Sequence, residues 1–420
     1  MSVYTQTKSV AASAIVLACA SALAETPDDL VRQALQRNPE LNFFVAEIAA
    51  AKGAVRTAGT VRNPELNTEL GYKNSRESSG GVSGAGAIVA LSLSQTLEYP
   101  GRIALRKAIA NHDLVLAEMH LQQFRLTLAA RVRSLAYAST SAHERTKAVQ
   151  EVVSRTQALS EVLKQRPLAG VAPQLEAQII NANLLSFQRQ ERESTLAEKT
   201  VAAELNQLCG RSADALLTVS AAPIVFTAVS VPGLLEAARS NAFDIRIRQV
   251  ELAKQGFNVA LSKNERFPAI AVGPFYSLEN AIDREQRAGL GISLPLPLWD
   301  RNLGNIASSK ARQQQAEASL VMTAREVERR VTQTAATLEA KRAEIEAWKT
   351  GTIAKLREAS ELADRNYRTG AVPLTTYIEI QKQYLEAIGA FNDAQKDALE
   401  AAQTLEILTA QKLYREEQER

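Results

Sequence analysis

The sequence predicts a mainly α fold with a small β part, extended rather than compact, and three observations carry that reading. After Pro100-Gly101 a helical pattern continues without Gly or Pro to about Arg166. At 1.5 Å per residue that rod is on the order of 100 Å long, more than a compact domain can contain. Four short segments alternate apolar with polar or small residues, as half-buried strands do. Finally, a set of landmarks recurs in one order through both halves of the chain.

Taken from the N-terminus, Lys8, the apolar run Val10 to Ala18 and the small residues Ser21-Ala22-Leu23-Ala24 predict a cleaved export leader over 1–24. Val16-Leu17-Ala18-Cys19 also reads as a lipoprotein box, in which Cys19 becomes the lipidated first residue; both readings export the chain. With Cys19 removed, Cys209 is the one cysteine left, so the mature chain has no internal disulfide to rely on. Beyond the leader no apolar run approaches the 18 residues of a membrane helix, so a membrane would have to be crossed by strands.

The first helix is expected from about Pro27 to Val61, stopped by Asn63-Pro64, because the residue before a proline is pushed out of the helical region. Strands follow over about 64–73 and 86–98, with Leu66, Thr68, Leu70 and Tyr72 on one face and Val89, Leu91 and Leu93 in the same phase. Next comes the rod, in which Leu114, Leu121, Leu128 and Leu135 recur every seven residues, with Ala117, Phe124 and Ala138 at alternate seam positions. That spacing implies a left-handed coiled coil. The rod ends at Pro167-Leu168-Ala169-Gly170, and a second helix returns, giving a hairpin over about 101–208.

This unit is then repeated. Ala34 to Asn38 matches Ala237 to Asn241, Asn63-Pro64 matches Phe267-Pro268, and Gly170 with Pro173 matches Gly370 with Pro373. Strands are expected again at about 268–277, interrupted by Pro274, and at about 287–297, ended by Pro295 and Pro297. A second rod, from about Arg301 to Tyr367, carries Val331, Leu338 and Ile345 at heptad spacing and opens a hairpin over about 301–415. The domain reading is therefore a first repeat over 25–220 and a second over 221–420.

Composition excludes several functions. Lys plus Arg number 49 against 46 Asp plus Glu, a net of +3, which lacks the concentrated positive charge that nucleic-acid binding needs. His112, His120 and His143 share one long helix without metal-ligand spacing, and no phosphate loop or nucleophile elbow is present. Met119 and Met322 form no ladder. The chain reads as a non-enzyme without cofactor or metal site.

Four strands cannot close a barrel, and lipid does not tolerate an open sheet edge, so strands in a membrane would have to be pooled from several chains. Three copies would supply twelve. A soluble periplasmic coiled-coil adaptor or scaffold is the rival reading, although adaptors usually carry one helical hairpin where this chain has two.

Ala34-Leu35-Gln36-Arg37-Asn38-Pro39-Glu40-Leu41, the run from Leu91 into Tyr99-Pro100-Gly101-Arg102, Leu294-Pro295-Leu296-Pro297-Leu298-Trp299-Asp300-Arg301-Asn302, and the tip Tyr367-Arg368-Thr369-Gly370 resemble the TolC family of outer-membrane efflux proteins. The likeness spans nearly the whole mature chain, and the Pro-Leu-Pro-Leu-Trp stretch is most similar to the branch serving cobalt-zinc-cadmium exporters. The resemblance implies an outer-membrane homotrimer with a twelve-stranded barrel and a helical tube across the periplasm, set in outer-membrane lipid. It further implies a periplasmic adaptor and an inner-membrane pump of RND type, with heavy-metal cations, drugs or secreted proteins as alternative cargo.

By the same resemblance the helix turns form the periplasmic gate. Glu176 and Glu379 occupy matching positions past the tip glycines, and a ring of three Glu379 carboxylates would favour cations; as ordinary helix-face carboxylates they would do nothing of the kind. Thr376 stands where the family often has an aspartate. Tyr367 and Arg368 would lock the closed entrance, while Gly170 and Gly370 serve as helix terminators or border an adaptor-docking surface.

Overall fold

The computed structural model describes residues 24–76, 78, 80, 82–165, 171–280, 283–349 and 351–416. Residues 1–23 of the expected leader, Gly170 and the rest of the first hairpin turn lie outside them. Each half opens with a broken helix. In the first, α1 (Pro27–Arg37) is followed by α2 (Glu40–Ala58), where the sequence had predicted one helix to Val61. Pro39 has no N–H to offer α1, and Asn38 turns extended, its side-chain oxygen accepting from Glu40 N at 2.8 Å.

Strands β1 (Glu65–Arg76) and β2 (Val82–Leu97) form a hairpin longer than expected. The rod α3 (Arg102–Gln165) runs unbroken for 64 residues, and α4 (Val171–Leu208) returns along it. Leu121 and Leu128 of the heptad row are buried, with Leu114 and Leu135 half-buried at either end. The short β3 (Ile224–Phe226), unforeseen in the sequence, precedes α5 (Val231–Asn241) and α6 (Phe243–Asn264).

In the second half β4 (Ile270–Asn280) passes through Pro274, which was expected to interrupt it, and β5 (Arg284–Ser293) ends before Pro295. Proline costs β4 part of its pairing with β2: partners run from Ile88↔Glu279 to Ser92↔Phe275 and resume in the same frame at Gln95↔Val272. Beside it Gly273 is obligatory, since a Cβ there would lie 1.6 Å from Leu93 O.

The second rod is not continuous either. It divides into α7 (Leu303–Lys349) and α8 (Thr352–Arg368) at Gly351, whose φ of 83° is the left-handed conformation that glycine adopts without a Cβ penalty. Helix α9 (Leu374–Thr409) returns, and β6 (Tyr414–Glu416) pairs antiparallel with β3.

Among the described residues, apolar clusters succeed one another along the rods in place of a single globular core. Leu30, Val31 and Ala34 of α1 pack on Leu121, Leu128 and Val132 of α3, while Val327, Val331 and Leu338 of α7 pack on α5 and α9. Toward the tip Val149 and Val152 of α3 meet Phe187 of α4 and Tyr384 of α9, so the two halves share their packing there. Leu338 is 0% exposed, and truncating such a leucine to alanine costs about 2–5 kcal/mol.

The internal repeat is visible in the bonding. Asn38 Nδ2 donates to Leu208 O at 3.2 Å, tying the break after α1 to the end of α4. Its counterpart Asn241 donates to Thr409 O at 3.0 Å, tying the end of α5 to the end of α9.

Candidate functional site

The four long strands form one antiparallel sheet in the order β1-β2-β4-β5. Cross-strand partners share a face, so the register sorts every side chain. Leu66↔Leu93, Thr68↔Leu91, Leu70↔Val89, Leu91↔Tyr276, Val89↔Leu278 and Val272↔Ile292 all fall on one side. That face is exposed in a single chain: Leu70 is 75% accessible and Leu290 81%. The opposite face holds Asn67↔Ser92, Glu69↔Ala90, Gly273↔Gly291 and Glu279↔Glu285. An apolar sheet face of this extent needs a cover that water cannot provide.

Among the described residues both outer strands keep an unpaired edge. Because each neighbour runs antiparallel, β1 and β5 point in opposite directions, and β5 of one copy can add to β1 of another without breaking the alternation. Closure with further copies satisfies the edges that lipid would otherwise punish.

At the joint between sheet and rod, Glu98 just past β2 accepts from Arg106 of α3 at 2.6 Å and lies 3.4 Å from Arg62, which precedes β1. Its side chain is 4% exposed. Arg102, one turn earlier on α3, donates to Asn264 Oδ1 at 3.0 Å and to Phe267 O at 2.6 Å, binding α3 to the lead into β4. The sequence flagged Arg102 only as part of the Tyr99-Pro100-Gly101-Arg102 motif, and its partners, up to 165 residues away, were not legible there. The Glu98–Arg106 spacing was the one available signal.

The far end of the rods is the candidate gate. Gly370 (φ 78°) ends α8 in a Schellman motif, with Ala371 N donating to Asn366 O at 2.9 Å and Gly370 N to Tyr367 O at 3.0 Å. Tyr367 stacks on Tyr377 of α9, ring centroids 5.5 Å apart. Arg368 is held by Asp364 of its own helix at 3.1 and 3.3 Å. Glu176 and Glu379 both lie exposed in the second turn of their helices, and Glu379 accepts from Gln383 at 2.9 Å. Thr376 is exposed nearby on α9. Gly170 belongs to the turn outside the described residues.

Above the tip a polar network missed in the sequence crosses three helices. Arg155 of α3 donates to Ser360 Oγ of α8 at 3.2 Å, and lies 3.4 Å from Glu361. Ser360 in turn pairs with Gln381 of α9. Burial raises the Tyr377 hydroxyl pKa above its ordinary value; the Thr156 hydroxyl, 3.4 Å away, partly offsets that. Since Thr156 Oγ1 already donates to Val152 O at 2.8 Å, Tyr377 is the donor between them.

Among the described residues no helix is long and apolar enough to cross a membrane, and no group of three or more His, Cys, Asp or Glu could hold a metal ion. A strand sheet with one lipid-compatible face, joined to rods about 100 Å long, is the geometry of a duct. The family model described as outer membrane efflux protein matches residues 30–211 and again 234–411. The chain belongs to the outer membrane efflux protein family.

Relatives agree with that membership. The chain is 20% identical to the cobalt-zinc-cadmium resistance protein CzcC of Cupriavidus metallidurans over 352 residues, 83% of this chain and 81% of the relative. A membrane protein from Pseudomonas aeruginosa is similar in structure, with a TM-score of 0.74, 20% identity, and coverage of 91% of this chain and 90% of that one. The Campylobacter jejuni CmeC outer membrane channel follows at 0.72, with 16% identity over 91% and 85% of the two chains. This outer membrane efflux protein thus has the TolC-like fold, resides in the outer membrane and acts as an efflux channel, a family of passive ducts.

Proposed function

We propose that three copies of this chain assemble into one outer-membrane duct, pooling twelve strands, and that it discharges heavy-metal cations delivered by a periplasmic adaptor and an RND-type inner-membrane pump. The observation that carries the trimer is the sheet itself: four strands, two free antiparallel edges and one charge-poor apolar face. Four strands are too few to enclose a lumen, whereas twelve are an even number within the range of outer-membrane barrels. The likeness to CzcC supports the metal cargo.

The tip residues take the role of a gate in this reading. Tyr367 and Arg368 close the entrance through their contacts with α9 and Asp364, and the Glu379 carboxylates, three in the trimer, face the path of entering cations. Gly370 supports them as the helix stop. Gly170 and Glu176 contribute the corresponding first-hairpin positions, bordering the adaptor.

The test expresses the full chain with its own leader, fractionates the envelope and measures the oligomer's mass in detergent by light scattering. A trimer in the outer-membrane fraction is expected, and a soluble periplasmic monomer would overturn the reading in favour of a scaffold. Cargo is tested separately: restored zinc, cobalt and cadmium tolerance in a strain lacking only its metal-efflux duct supports the metal assignment. Restored detergent or dye tolerance alone would reassign it to drug efflux.

A further inference from the structure

Eight charged residues lie in the four sheet strands, and their placement is uneven. Arg76 and Arg284 stand at the outer ends of the two hairpins. The other six, Glu65, Glu69, Lys73, Glu279, Glu285 and Arg287, all occupy the face opposite Leu66, Leu70 and Leu290, as their partners Ser94, Ala90, Gly86, Ile88, Glu279 and Ser277 establish. A lysine or arginine on the lipid face costs about 2–4 kcal/mol at the bilayer midplane, which accounts for the segregation. It also fixes which face lines the interior.

The six do not balance. Two cations are tied within the chain, Lys73 to Glu279 across the intervening strand and Arg287 to Glu285 at 2.9 Å. Glu65 and Glu69 add two more carboxylates on β1, the edge strand. Even with Arg76 counted, whose partner Val82 continues the phase of Gly86, Ala90 and Ser94, four carboxylates stand against three cations on this wall.

We infer that the barrel interior is itself a cation-selecting stretch of the duct, carrying a fixed negative charge set by Glu65 and Glu69 in excess of the ion pairs at the outer mouth. This rests on the duct reading above and adds to it a second filter, at the opposite end from the helical tip. Metal cations leaving the tube would then be drawn outward, while chloride and anionic metabolites are disfavoured by the same field. The effect is one of long-range potential and not of coordination, so it must fade as salt screens it.

The full-length protein is reconstituted in planar lipid bilayers under potassium chloride gradients, at about 10 mM, where the Debye length is about 30 Å, and near 1 M, where it is about 3 Å. The reversal potential is expected to have the sign of cation preference at low salt and to shrink at high salt. Glu65→Gln combined with Glu69→Gln should move the low-salt reversal potential toward zero. Lys73→Gln combined with Arg287→Gln should move it the other way, and provides an independent reading if the first variant fails to assemble. Conducting channels whose reversal potential is the same in wild type and assembled variants would overturn the inference and leave the duct standing. Correctly inserted protein that never conducts would sink the duct reading, and this inference with it.

Discussion

Ser360 and Gln381 hold each other twice: the Ser360 hydroxyl donates to Gln381 Oε1 at 2.7 Å, and Gln381 Nε2 donates back to Ser360 O at 3.0 Å. Both residues are 0% exposed, so neither bond has water as a substitute. The pair joins α8 to α9 one level above the gate, and Arg155 extends it to α3.

Replacing Gln381 with alanine takes the acceptor from the buried Ser360 hydroxyl and the donor from Ser360 O, and opens a void. A loss on the order of 1–3 kcal/mol is expected from the hydrogen bonds alone. Thermal melting of the detergent-solubilised protein should show a lower Tm for Gln381→Ala than for Gln383→Ala, whose side chain is exposed on the same helix. Equal Tm values would mean that the network does not secure the tip.

Tyr367→Phe combined with Arg368→Ser should raise single-channel conductance. The double variant removes the Tyr367 hydroxyl and the Arg368 pairing with Asp364 at 3.1 Å, loosening the end of α8 while leaving the Schellman stop at Gly370 in place. Unchanged conductance from intact channels would remove these two residues from the gate.

Two glycines should respond in opposite ways to alanine. At Gly389, inside α9, the added methyl meets only the Arg145 guanidinium at an ordinary 3.7 Å, so Gly389→Ala gains helix propensity of up to about 1 kcal/mol and should raise Tm. At Gly273 the backbone of β2 occupies the space, and Gly273→Ala should disrupt the sheet and lower the oligomer mass measured by light scattering in detergent.

Stability should fall in strong alkali. Tyr377, Tyr384 and Tyr414 all have pKa values raised by burial above the ordinary 10.0. Folded protein therefore binds protons more tightly than unfolded chain, so their contribution is fully present below pH 10 and is lost as pH rises through the folded values. Melting curves between pH 8 and pH 11.5, expressed as Tm, should decline above about pH 10. Tyr377→Phe should flatten that decline, and an unaltered slope would assign it to the other tyrosines.

What the sequence revealed follows from the range of each signal. The α3 rod, with its heptad leucines, and the alternating faces of β1 and β2 are written locally, and both appear in the fold. The breaks at Asn38-Pro39 and Gly351 were also written locally, but each sits in a strong helical pattern that outweighed one residue. β3 and β6 are three residues each and exist through each other, so neither carries a period to detect. At the tip, Gly370 was legible as a helix stop because αL glycine has a local signature. Arg155, Ser360 and Gln381 were not, since nothing in their separate surroundings says that three helices converge there.

The pairing of β3 with β6 also sets an order of events. Export delivers a chain N-terminus first, so Ile224–Phe226 emerges long before Tyr414–Glu416. Until α5 through α9 have crossed the inner membrane, β3 has no companion strand, and Ile224 and Phe226 have no Tyr414 to close over them. Tyr414–Glu416, arriving long after β3, therefore act as a latch on the middle of the chain, and a truncated product that stalls before Leu413 is left open at that seam for periplasmic proteases to find.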